Sequence, residues 1–211
     1  MSVTLPKRQS LRLSVFDDME KGKGIRAFDF DHTVYKGYSY RDFVFYTTLR
    51  RPWVLLWLPV IIVTAILTAL KVIPMKRTVE VILFPYLRFR KIDEYIVKFW
   101  DKRQDRIQQW YKDIQQPDDV IISATPKFFL EEICRRIGIK TLIATEIDRK
   151  TGKVVDPYCY REGKWLRFTE VFGEDAVLEE YYTDTEKDSG MLKRARHGYV
   201  VGKKGNIEKV K

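Results

Sequence analysis

Residues 25–30, Ile-Arg-Ala-Phe-Asp-Phe, form a short apolar run that closes on two aspartates one residue apart, Asp29 and Asp31. If the run is a buried strand, alternation puts both carboxylates on one side where the strand leaves the sheet. Open α/β sheets bind ligands at that edge. A chain built around such a strand is drawn toward a sheet flanked by helices, with its chemistry at the strand tips. An Asx-type turn through Asp31-His32-Thr33 would satisfy the same residues without any chemistry, so the rest of the chain has to decide.

Two further runs repeat the pattern. Val120-Ile121-Ile122 leads into Ser123-Ala124-Thr125-Pro126, which reads as a strand followed by a helix, with Thr125 as N-cap and Pro126 at the first helical position. The Ser123 hydroxyl and the adjacent backbone N–H of Ala124 could hold phosphoryl oxygens there, although such residues also cap helices for structural reasons alone. The third run, Tyr181-Tyr182-Thr183, ends in acids four residues apart, Asp184 and Asp188. Oxygen-rich strand ends of this kind suit Mg²⁺, which binds through one or two carboxylates plus substrate phosphate. Between these runs Lys164 opens a stretch whose apolar positions 165, 168, 171 and 172 fit a helix.

Taken in order, these segments resemble the four motifs of the haloacid dehalogenase superfamily, and more closely its phosphoserine-phosphatase-like branch, which carries a cap after the first motif. Asp-Phe-Asp-His-Thr is similar to motif one, Ser123 in Ser-Ala-Thr-Pro to motif two, Lys164 to motif three, and Asp184 with Asp188 to motif four. The insert after motif one, with Leu49-Arg50-Arg51-Pro52 leading into a long apolar stretch, resembles the bacterial phosphatidylglycerophosphatase C type, as do the length and the ending His197-Gly198-Tyr199-Val200-Val201. The resemblance implies a three-layer, Rossmann-like α/β core with a mainly parallel sheet and a helical cap inserted after the first strand. It also implies that Asp29 is the nucleophile and Asp31 the acid/base. Ser123, Ala124 and Lys164 would hold the phosphate. Asp29, Asp31 through its main-chain carbonyl, Asp184 and Asp188 would serve Mg²⁺, with Asp188 acting directly or through water or Lys164. Thr33 would orient the first loop. The departure is His32, where the superfamily most often has glycine.

The 211 residues suffice for one ordinary domain plus an insertion. The expected division is a tail at 1–24, a catalytic core at 25–34 and 116–211, and a helical cap at 35–115. The alternating pattern places strands near 25–30, 119–123, 141–146, 178–183 and 198–201. A hairpin-style turn is centred on Thr151-Gly152. Cys134 and Cys159 have no metal spacing and read as reduced packing residues, and the first 24 residues contain no apolar stretch of signal-peptide type, so the enzyme is expected on the cytoplasmic side. The net charge of +10, from 39 basic and 29 acidic residues, calls for anionic partners. Arg50, Arg51, Lys71, Lys76, Arg77, Arg88, Arg90 and Lys91 all flank apolar segments of the insert, as expected beside lipid headgroups, whereas no nucleic-acid motif is present.

Residues 53–70 carry no charge, and 18 residues of helix reach about 27 Å, close to a hydrocarbon core. A single crossing would put Asp29 and Ser123 on opposite sides of a bilayer, so the segment must return. The expectation is a monotopic helical hairpin dipping into one leaflet, bent near Pro59 and Pro74, with Trp53 and Trp57 near the interface. A cap helix buried in protein is the competing reading. Beyond it, apolar positions at helical spacing predict one long amphipathic helix over 91–114.

The function implied is a Mg²⁺-dependent phosphoric monoester hydrolase working through an aspartyl-phosphate at the cytoplasmic face of the inner membrane. Its substrate would be a phosphorylated lipid, foremost phosphatidylglycerophosphate, and its product phosphatidylglycerol. A soluble phosphomonoesterase of phosphoserine or a similar metabolite is the alternative. A third reading, a membrane-bound binding module with a retired active site, sits poorly with the presence of Asp29, Asp31, Ser123, Lys164 and Asp184.

Overall fold

The computed structural model describes residues 24–89, 91–186, 188–202 and 205–211. The segment read as a tail therefore lies outside the described residues, Gly24 excepted. Six strands form one sheet: β1 (Ile25–Phe28), β2 (Val120–Pro126), β3 (Thr141–Thr145), β4 (Leu178–Thr183), β5 (His197–Val201) and β6 (Ile207–Lys209), in the order β3-β2-β1-β4-β5-β6. All neighbours are parallel except β6, which runs antiparallel to β5. β1 lies inside the sheet between β2 and β4, covered on both faces, which is why its sequence is apolar rather than alternating.

Helices α1 (Ser39–Thr48), α2 (Leu58–Ala69), α3 (Met75–Leu87), α4 (Ile92–Arg103) and α5 (Gln109–Ile114) lie between β1 and β2; α6 (Lys127–Arg136), α7 (Glu162–Phe172) and the one-turn α8 (Ser189–Leu192) follow. Phe28 and Ile121 face a core shared with α1, α4, α5 and α6, while Ala27, Val120 and Tyr181 face one closed by α7 and α8. The three-layer α/β expectation holds. On the first face Phe28, Tyr182 and Tyr199 are paired across β1, β4 and β5, and their rings stack at 4.6 and 4.5 Å. Trp110 and Tyr111 of α5 pack on this stack.

Several expectations needed correction. β6 was not foreseen; it is three exposed residues, too short to show a period. β2 runs to Pro126, past 123, because Ser123 pairs with Ala144 and Pro126 with Thr145, leaving Ala124 and Thr125 bulged out of the ladder. α6 begins only at Lys127, so Thr125 is not its N-cap. The long helix expected over 91–114 is broken. Ile107 is extended, with φ −63° and ψ 122°, and pairs with Tyr35, while Gln108 N–H donates to the Val34 carbonyl at 2.8 Å. The break is where the chain returns from the cap beside the strand that left for it. The turn at Thr151-Gly152 is present, with Ile147 bridged to Val154 and Gly152 at φ 75°.

The apolar insert is a 3-10 segment (Pro52–Trp57), α2, and α3 packed beneath it. Only 11% of residues 52–69 are buried, at a mean hydropathy of 2.1. Leu56, Val63, Ile66 and Leu70 stand exposed, so α2 is not a helix buried in protein. α3 instead forms the mount. Lys76 pairs with Asp156 at 2.8 Å, Glu80 accepts the Val154 N–H at 3.0 Å, and Phe84 and Leu87 lie against Gly152. Trp57 sits on this mount, donating to the Val81 carbonyl and stacking on Phe84, whereas Trp53 is half exposed. The bends differ in detail too: Pro59 lies in the first turn of α2, Pro74 caps α3, and Pro85 lies inside α3.

The loop after β1 closes on the Phe30 carbonyl, which accepts N–H groups from Thr33, Val34 and Tyr35, and His32 takes φ 59°. Histidine is among the residues that enter the left-handed region, so the position that usually holds glycine keeps its conformation. His32→Gly is expected to change stability by less than about 1 kcal/mol, whereas the β-branched His32→Val should lose about 1–2 kcal/mol; urea unfolding distinguishes them. Trp100 is fully buried and donates to the Phe129 carbonyl at 2.9 Å, tying the cap to α6. Trp100→Ala should cost about 3–5 kcal/mol by the same measurement, with a smaller loss in Trp100→Phe.

Candidate active site

The carboxyl ends of β1, β2 and β4 meet the start of α7, and the ammonium of Lys164 sits at that meeting. Its Nζ lies 2.9 Å from Asp29 Oδ2, donates to Asp188 Oδ2, and is 3.2 Å from the Tyr181 hydroxyl. Lys164 is only 2% exposed. Burial alone would depress its pKa, but Asp29, Tyr181 and Asp188 outweigh that and hold it well above the ordinary lysine value. Alternation on β4 turns Tyr181 toward α7, and alternation on β1 turns Asp29 to the same side as Ala27.

Asp29 is fixed twice: Oδ1 accepts the Phe30 N–H at 2.7 Å, and Oδ2 faces Lys164. Burial pushes its carboxyl up to about 7 against the pull of Lys164. Asp31 is held by other elements. Its Oδ1 accepts the backbone N–H of Ser39, the first residue of α1, at 2.7 Å, and its Oδ2 accepts the Thr125 hydroxyl at 2.7 Å. Burial raises its pKa, and these two bonds partly offset the rise. The bulge in β2 is what brings Thr125 within reach.

The other expected residues are distributed as follows. Ser123, 1% exposed, accepts the Thr125 N–H on its hydroxyl oxygen at 3.2 Å, leaving the hydroxyl hydrogen to donate. The Ala124 carbonyl accepts from Thr145 at 2.6 Å, pinning the bulge to β3. Thr33 is buried, and its hydroxyl makes no hydrogen bond among the described residues. The orienting of the first loop falls instead to Gln108, whose side-chain amide donates to the His32 and Thr33 carbonyls at 3.1 and 2.6 Å. The His32 ring meets Tyr38 edge-on at 4.2 Å.

The two acids after β4 part company. Asp188, 5% exposed, accepts from Lys164, Tyr181 and Thr183, all on Oδ2, so that one oxygen holds the lysine. Asp184 is half-buried, and among the described residues its side chain makes no hydrogen bond or ion pair with another residue. Burial raises its pKa, and His32 pulls the other way. Among the described residues no group of three or more Asp, Glu, His or Cys side chains is arranged to hold a metal ion by itself. The donor set nevertheless fits Mg²⁺, which needs only one or two carboxylates and keeps several waters. Asp29 would supply one and Asp184 the other, with Asp188 in support.

Sequence reasoning missed Tyr181 and Gln108 and misassigned Thr125. Thr125 could have been found, since it lies two residues beyond Ser123. Nothing in the sequence marks Gln108, which acts across 75 residues from Thr33.

Solved structures share the fold. A protein of unknown function from Bordetella pertussis Tohama I superposes with a TM-score of 0.68 at 19% identity over 83% of this chain and 88% of that one. A phosphoserine phosphohydrolase-like protein from Francisella tularensis gives 0.56 at 16% identity over 83% and 86%. A haloacid dehalogenase family hydrolase from Salmonella enterica serovar Typhi gives 0.57 at 14% identity over 91% and 72%. At these identities the likeness is one of fold. No curated protein sequence matches the chain. The sequence pattern of haloacid dehalogenase-like hydrolases, however, matches residues 27–193, most of the chain. With that match and a parallel core whose strand tips bring Asp29, Asp31 and Ser123 to the helix that carries Lys164, the chain belongs to the haloacid dehalogenase-like hydrolase family.

Proposed function

We propose that the chain is a Mg²⁺-dependent phosphatase that cleaves a phosphomonoester through an aspartyl-phosphate on Asp29. The observation that carries this reading is the pairing of two differently held carboxyls: Asp29 faces a buried ammonium, while Asp31 sits among neutral donors. Lys164 favours the ionised, attacking form of Asp29. Asp31, raised by burial, can carry the proton that the departing oxygen needs, and once ionised it can draw a proton from the water that releases phosphate. Its bonds to Ser39 and Thr125 keep the carboxyl aimed in both half-reactions. Ser123, through its free hydroxyl hydrogen, and Lys164 donate to the oxygens of the transferring group. Mg²⁺, held by Asp29, the Asp31 main-chain carbonyl and Asp184, would supply positive charge against the phosphate.

The exposed apolar layer on the cap supports a lipid substrate. From 43 to 79 the chain has no acid but carries Arg50, Arg51, Lys71, Lys76 and Arg77. This suits a surface resting on anionic lipid at the cytoplasmic face of the inner membrane. Phosphatidylglycerophosphate is the proposed substrate. A soluble ester such as phosphoserine is the second reading, favoured by the fold shared with the phosphoserine phosphohydrolase-like protein.

Mg²⁺-dependent phosphate release from phosphatidylglycerophosphate in mixed micelles, beside phosphoserine and an aryl phosphate, tests the proposal. Strong preference for the lipid, lost on chelation and in Asp29→Asn, is expected; equal or faster turnover of soluble esters selects the second reading. Lys164→Met should lower turnover by about a hundredfold or more and, by leaving Asp29 and Asp188 buried and unpaired, destabilise the fold by about 3–5 kcal/mol. Adding Asp188→Leu should recover part of the stability without recovering turnover.

A further inference from the structure

A second concentration of positive charge lies away from the catalytic carboxyls, where the end of α3 meets the core turn at 148–152. A cavity of about 350 Å³ there is lined by Phe84, Leu87 and Arg88 at the end of α3 and by the turn residues 149–152. Three cations and no acid line it. Arg149 is held from outside by Asp93 at 2.9 and 3.1 Å. Arg88 and Lys150 are exposed and make no ion pair among the described residues. The Arg88 guanidinium lies 4.8 Å from the centre of the Phe84 ring, which positions it without neutralising it. The same ring stacks on Trp57 at 5.4 Å, so one wall of the cavity touches the 3-10 segment that leads into the exposed apolar helix α2.

We propose that this cavity is a non-catalytic site for the phosphodiester headgroup of an anionic phospholipid. Arg88 offers a planar fork for two phosphate oxygens, and Lys150 offers a point charge from the core turn. Phe84 and Leu87 provide an apolar flank for the carbon atoms next to the phosphate. The walls come from separate elements, the cap helix α3 and the core turn, so an occupant would join cap and core directly. The apolar layer joined to the cavity wall through Phe84 and Trp57 favours lipid over a soluble anion: acyl chains would have the exposed Leu55 and Leu56 of the 3-10 segment to lie against. The inference rests on the membrane-facing reading of the cap, but not on the identity of the substrate.

Flotation of the full chain with phosphatidylglycerol–phosphatidylcholine vesicles, compared with phosphatidylcholine alone, tests it. The wild type is expected to float with the anionic vesicles and to resist displacement by inorganic phosphate. Arg88→Gln with Lys150→Gln should weaken binding on the order of thirtyfold, from two basic side chains at an anionic surface. Arg88→Lys keeps the charge but loses the fork, and should weaken binding by about fivefold. Thermal unfolding of each variant, expected at the wild-type temperature because Arg88 and Lys150 are exposed and make no ion pair among the described residues, verifies that the fold is retained. If Arg88→Lys binds as the wild type does, the charge acts diffusely and the site is refuted. Displacement of the wild type by inorganic phosphate would refute lipid as the occupant. A wild type that ignores anionic vesicles would bring down the membrane reading as well, whereas variants that float like the wild type would bring down the cavity alone.

Discussion

The buried ammonium of Lys164 is the constraint around which the rest is arranged. A charge at 2% exposure is tolerable only among opposite charges and hydrogen-bond acceptors, and here Asp29, Asp188 and the Tyr181 hydroxyl provide them from three different segments. Each of those segments must then be placed correctly: β1 to bring Asp29, β4 to bring Tyr181, the loop before α8 to bring Asp188, and α7 to bring the lysine. The parallel sheet does this by ending its inner strands at one edge. The arrangement is therefore structural and chemical at once, because the group that holds the elements together is the one that faces the reacting carboxylate.

The cap is tied into the site rather than placed over it. Asp31 is bonded to the first N–H of α1, and the two chain crossings between core and cap are clasped by the Tyr35–Ile107 bridge and the Gln108 amide. Phe43, Phe99, Trp100 and Phe129 then continue one apolar core from cap to α6. α2 is the exception, outside that core and fixed to the rest through α3. A layer so apolar and so exposed is a cost in water, and an apolar surround would remove it.

Much of the site could be read from sequence because its residues lie at the ends of apolar runs, where a short pattern states both the strand and its tip. Asp29, Asp31 and Ser123 were legible for that reason, whereas Lys164 stood out only by its order between the hydroxyl run and the acid pair; the helix after β2 and the turn at Thr151-Gly152 were legible as well. What escaped depends on contacts between segments distant in the chain. The 91–114 helix has the right periodicity, yet the need to rejoin the core breaks it at Ile107. Thr125 has the residue type of a cap, yet the bulge sends it to Asp31. Asp184 and Asp188 look alike in sequence, and only the fold shows that Lys164, Tyr181 and Thr183 converge on one oxygen of Asp188.

The aromatic stack across β1, β4 and β5 bears on how faithfully such a site is assembled. Phe28, Tyr182 and Tyr199 interlock only when their strands pair in one alignment, and a shift of a single residue would turn every side chain of β1 to the opposite layer. Asp29 would then point away from Lys164 and into the apolar space now filled by α5. Three rings with no part in the chemistry thus act as an alignment key, making a misassembled nucleophile a misfolded protein rather than an idle enzyme.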